Sequence, residues 1–98
     1  MEDFLTKNIE SIRAQINNEL PNIFSTYDFI SLFRKLYECQ YIEFLFQYKD
    51  NTPFKIVHGK LGKFLSQNSS NLSIQTNGRV IERNIFGEDS EIENWIKI

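Results

Sequence analysis

Apolar residues recur at helical spacing from the start of the chain. Leu5, Ile9, Ile12, Ile16 and Leu20 share one face, which predicts an amphipathic helix over 3–18. Pro21 ends it, because the residue before a proline is pushed out of the helical region. In the stretch FSTYDF, Ser25 is placed to cap a second helix, with Asp28 three residues on to complete a capping box. Phe24 and Phe29 occupy the positions of a hydrophobic staple. That helix is predicted over 26–37, burying Phe29, Ile30, Phe33, Leu36 and Tyr37. The run YIEFLFQYK at 41–49 is apolar on most sides, and a third helix is assigned to it because nothing before it breaks helical geometry.

Thr52-Pro53 then reads as an N-cap and first helical position, where proline's missing N–H costs nothing. Phe54, Val57, Leu61, Phe64 and Leu65 form an apolar stripe, so 53–66 is a fourth helix. Beyond the polar run QNSSN the period changes to two. Leu72, Ile74 and Thr76 alternate with Ser73 and Gln75, and Asn77-Gly78 is a strong two-residue hairpin signal. Strands are predicted at 72–76, 79–86 and 92–98, the last two separated by the turn-like GEDSE. The expected fold is a single α+β domain over 1–98: a bundle of about four helices, then a three-stranded antiparallel β-meander.

Composition supports a folded domain, since 41% of the 98 residues are hydrophobic and 14% aromatic. No stretch approaches the roughly 18 apolar residues that span a bilayer, and MEDFLTKNIE lacks the basic start and apolar block of a signal peptide. Cys39 is the single cysteine, so no internal disulfide forms. The expectation is a cytoplasmic protein without a membrane segment. The net charge is −2, but it is unevenly spread: residues 1–50 sum to −3, 51–87 to +4 and 88–98 to −3. A local basic segment matters more for binding a polyanion than whole-chain charge does.

That segment falls on the fourth helix and the strand after it. Opposite the apolar stripe lie Lys55, Gly59, Gly62, Lys63 and Ser66, with Lys60 on one flank and His58 near the other boundary. Each glycine on a helical face costs roughly 1 kcal/mol relative to alanine. Small residues between lysines let another backbone approach closely, a phosphate chain among the candidates. A neighbouring helix against the glycines, with solvated lysines, is the plainer account. Helix 41–49, the turn DNT, helix 53–66 and a hairpin carrying Arg79 and Arg83 follow one another in an order that resembles the winged helix-turn-helix family of DNA-binding domains. The resemblance covers about 41–98 and rests on element order. It implies duplex DNA as partner, with Lys55, His58, Lys60 and Lys63 on the groove helix and Arg79 and Arg83 on the wing, in a protein of transcriptional-regulator type. No arginine or glutamine faces outward early in the helix to read a base in bidentate fashion.

Other chemistry is poorly provided. Gly59-x-x-Gly62 resembles the GxxG loop of RNA-binding KH domains, but Leu61 would then be exposed and the helix after Gly62 too short. No Walker phosphate loop occurs. One histidine and one distant cysteine make no nucleophile pair, and a boundary His58 hydrogen-bonded to a neighbour is its simplest role. Glu88, Asp89, Glu91 and Glu93 lack the ordered spacing of a calcium loop. Neither catalysis, cofactor nor metal is expected. Tyr41, Phe44, Phe46 and Tyr48 exceed what one side of a short helix can bury, and Trp95 shares its strand face with Glu93 and Lys97. A homodimer or a protein-interaction module built on such surplus aromatics is the alternative function.

Overall fold

The computed structural model describes all 98 residues. Nine elements follow in order: α1 (Glu2–Lys7), α2 (Ile9–Glu19), β1 (Ile23–Ser25), α3 (Thr26–Leu36), α4 (Glu38–Gln47), α5 (Pro53–Gln67), α6 (Ser69–Leu72), β2 (Ile74–Arg83) and β3 (Asp89–Lys97). The class is α+β as expected, with helices dominating the first three-quarters and an antiparallel hairpin closing the chain. One core joins the elements, because each of the nine contributes at least one buried apolar side chain, from Leu5 in α1 to Trp95 in β3.

The first expected helix is two. Asn8 (φ −106°, ψ 15°) interrupts it, its backbone N–H and its Nδ2 both donating to the Phe4 carbonyl, at 3.1 and 2.8 Å. Phe4 on α1 packs against the core, where it meets the rings of Phe33, Tyr37 and Phe44 edge-on. The second start signal holds in full. Ser25 Oγ accepts from the Asp28 amide and the Asp28 carboxylate accepts from the Ser25 amide at 2.9 Å. Helices α3 and α4 are separate, divided at Tyr37 (φ −123°, ψ 46°), and α4 begins at Glu38 rather than 41. Helix α5 spans 53–67, with proline at its first position. Thr52 lies in the left-handed region (φ 47°) and its side chain makes no cap. The run expected to be irregular contains one helical turn, α6, and Ser73 (φ 57°) then turns the chain into β2.

The sheet departs most from expectation. It is three-stranded and antiparallel, but its order is β1-β3-β2. The third strand comes from residues 23–25, between α2 and α3, and pairs Ile23 with Ile96, Phe24 with Trp95 and Ser25 with Asn94. Asn77-Gly78 does not make a hairpin turn. The stretch 74–83 is one strand, and those two residues form an irregularity between the pairs Thr76–Trp95 and Arg79–Glu93. Gly78 supplies the positive φ of 81° that such a bulge uses. The true turn lies at 84–88. There Asn84 Oδ1 accepts from the amides of Phe86 and Glu88, and Gly87 takes φ 77°.

Trp95 points inward, only 4% exposed, and Ile96 and Ile98 lie on the outer side. Its Nε1 donates to Thr26 Oγ1 at 3.0 Å, and Thr26 Oγ1 donates to the Glu93 carbonyl at 3.1 Å. Trp95 is therefore core, not a partner surface. No helix is long and apolar enough to cross a membrane.

Candidate functional site

Helix α5 buries Val57, Leu61, Phe64 and Leu65, and its other face looks outward with Lys55, Gly59, Lys63 and Ser66 exposed. The helix carries three lysines and no acid. Its two glycines differ in surroundings. A Cβ on Gly62 would stand 3.3 Å from Thr26 Cγ2, so Gly62 lets α5 cross the start of α3 closely. A Cβ on Gly59 would meet open space.

Three constraints set the hairpin beside this face. Strand β1 holds β3 and runs directly into α3, and Ser25 Oγ donates to Glu82 on β2 at 2.6 Å. Tyr27 on α3 is also hydrogen-bonded to Ser90 on β3. Between α5 and the hairpin runs a trough. Its wider part, about 650 Å³, is walled by Gly59, Gly62, Lys63 and Ser66 on one side and by Thr76, Arg79 and Glu93 on the other. The continuation, about 430 Å³, is lined by Tyr27, Ile30, Phe54, Lys55, the turn residues Asn84 to Phe86, Glu88 and Ile92. His58, Gly59 and Ile92 belong to both parts. At the far end the Phe86 ring meets Phe54 edge-on, with centroids 5.9 Å apart, so the hairpin turn leans on the first turn of α5.

The six sequence-predicted residues divide on this geometry. Lys63 and Arg79 face each other across the wide part, and Lys55 lines the narrow part. Lys60 does not join them. It turns toward α1 and pairs with Glu2 at 2.9 Å, a hydrogen bond that lowers the Glu2 pKa and raises that of Lys60. His58 is at the groove boundary but occupied. Its ring stacks on Tyr41, whose hydroxyl is hydrogen-bonded to Nε2 at 2.6 Å, and meets Phe54 edge-on. Burial, then the charge of nearby Arg34, pushes the imidazole down to about 4, so it is neutral at physiological pH. Burial raises the Tyr41 pKa, with Arg34 opposing it.

The two arginines are engaged on their own hairpin. Arg79 reaches Glu91 at 2.9 Å and Glu93 at 3.3 Å, and Arg83 lies 3.8 Å from Asp89. Residues 74–97 hold three basic and five acidic side chains, a net of −2. The acidic run is thus spread along β3, pairing with β2, and no three His, Cys, Asp or Glu side chains cluster to hold a metal. Lys97, the third basic residue, binds the carbonyls of Asn17 and Leu20 at the end of α2, where a cation complements the helix terminus.

Sequence reasoning missed Phe86, assigned there to a strand but exposed in the turn, and missed the partners of Arg79 and Arg83. Reading Asn84 and Gly87 as the turn residues would have set the register and placed Glu91 and Glu93 against Arg79. No family model matches this chain, and neither a curated protein nor a solved structure was found similar to it.

Proposed function

We propose that this protein is a small winged-helix-type DNA-binding domain, without catalytic activity, that grips phosphates with the outer face of α5. The observation that carries the reading is the pair Lys55 and Lys63: exposed, free of carboxylate partners, and set around Gly59 on a helix without acids. The hairpin stands beside that helix, as a wing would, and places Arg79 across the trough from Lys63. The contact set is narrower than the sequence implied. Lys60 faces α1, His58 is held by Tyr41, and Arg83 sits by Asp89 in the turn-ward half of the hairpin. Arg79 contributes only by exchanging Glu91 and Glu93 for a phosphate. Surface pairs of this kind are worth about 0–1 kcal/mol, so the exchange is affordable.

Fluorescence anisotropy on a mixed-sequence duplex at low salt tests the reading. Wild type should bind, and K55E/K63E should lose binding while its circular dichroism spectrum stays unchanged. Absence of wild-type binding at low salt would sink it.

A second reading, a protein-interaction or dimerisation module, is favoured by α4. Ile42 and Phe46 lie one turn apart on its outer side, and Phe46 is 63% exposed. Its signature is a stable dimer or complex that K55E/K63E leaves intact and Phe46→Ser dissolves.

A further inference from the structure

The trough beside α5 has two chemically different halves. The wide half carries the polar side chains Lys63, Arg79, Thr76 and Ser66 around the open backbone at Gly59, with Ile92 and Trp95 also in its lining. The narrow half ends in two accessible rings, Phe86 (64% exposed) and Phe54 (38% exposed), with Lys55 next to Phe54 in sequence. A duplex can meet Lys55 there with a phosphate, but it cannot use the two rings. Its base faces are stacked on one another, and only base edges reach a protein in the grooves. In a helix-turn-helix the N-terminal residues of the recognition helix reach those edges, and here the hairpin turn leans on that end of α5 through Phe86 and Phe54.

We infer that the trough holds unpaired nucleotides, so that the DNA this domain prefers has a single-stranded segment beside a duplex. The inference rests on the DNA-binding reading above and specifies its substrate. Single-strand sites combine cations that track the backbone with aromatic side chains on which bases stack. Both are present in sequence along one trough: Lys63 and Arg79, then the open backbone at Gly59, then Lys55 with Phe54 and Phe86. Lys55 and Lys63 are eight residues apart on α5, about 12 Å along its axis, so the backbone is held at two points with the base-stacking rings at one end. Two carboxylates also line the trough, Glu93 and Glu88. Glu93 is held by Arg79 and by the Thr76 hydroxyl, and Glu88 lies in the hairpin turn at the narrow end.

The experiment compares three labelled probes by anisotropy: a blunt duplex, the same duplex with a short thymidine overhang, and oligothymidine alone. The overhang should tighten binding by roughly 5- to 150-fold for each base that stacks. Phe86→Ala should remove that gain and leave blunt-duplex affinity unchanged, and Phe86→Trp should restore it. Phe86 lies on an exposed turn, so its truncation does not open the core. An overhang no tighter than the blunt duplex, or a gain that survives Phe86→Ala, overturns the inference and leaves the DNA-binding reading standing. If no probe binds at low salt, both fall.

Discussion

His58 stands beside the groove, yet its chemistry is set by what lies behind it. A neutral imidazole shares a hydrogen bond with the Tyr41 hydroxyl, and its pKa near 4 lies below the ordinary value of 6.5. Between those two values the unfolded chain binds a proton that the folded chain does not. Stability is therefore full above about pH 6.5 and falls as the pH drops toward 4. Because the ring is only half-buried, solvent screening holds the loss to about 1–2 kcal/mol. Urea titrations across that range should reveal the slope in wild type and a flatter one in His58→Gln. The two glycines of α5 should part company in the same assay. Gly59→Ala gains helix propensity, about 0.5–1 kcal/mol, because its Cβ enters open space. It should weaken DNA binding all the same by holding the backbone off. Gly62→Ala meets Thr26 at 3.3 Å, and the strain of that contact should cancel the propensity gain. Lys60→Ala should leave DNA affinity within about twofold, since its ammonium is directed to Glu2.

The hairpin is the element whose local chemistry misleads most. Asn77-Gly78 has the composition of a tight turn, but the chain passes through it as a bulge and reverses at Asn84 to Glu88. The difference lies in what each site is tied to. Thr76 is paired with buried Trp95, and Arg79 with Glu93, so the strand is anchored on both sides of the bulge and cannot reverse there. Asn84 instead satisfies two turn amides with one side chain. Gly78→Ala should destabilise the protein by about 1 kcal/mol, because φ 81° strains a residue with a Cβ. Ser25 joins two elements, capping α3 and bonding Glu82 on β2. Ser25→Ala should cost about 1–2 kcal/mol by thermal denaturation, more than a cap lost from an isolated helix end.

At the scale of the whole molecule the charge is scattered, and this sets how strongly a polyanion can be held. On the DNA-binding reading proposed above, Lys55, Lys63 and Arg79 would supply three phosphate contacts at most on the trough. Three contacts give a log-log salt slope of about −2.7, roughly a 40-fold loss of affinity between about 50 and about 200 mM salt. A steeper measured slope would mean that cations beyond these three are engaged, on the same chain or on a second copy. The exposed Ile42 and Phe46 on α4 offer a surface for that copy away from the trough.

The sequence by itself determined what depends on residues a few positions apart. The α3 capping box, the stripe and proline start of α5, and its outward face of Lys55, Gly59 and Lys63 all follow from spacing, because helical neighbours are set by the chain's own geometry. Which strand lies beside which depended on contacts far apart in sequence. Residues 23–25 are a strand only because β3 lies alongside them, and Asn77-Gly78 is a bulge only because Trp95 and Glu93 hold the strand on either side. The fate of each charge was decided the same way. Lys60 reads like Lys63 along the helix, but α1 brings Glu2 to one and leaves the other free.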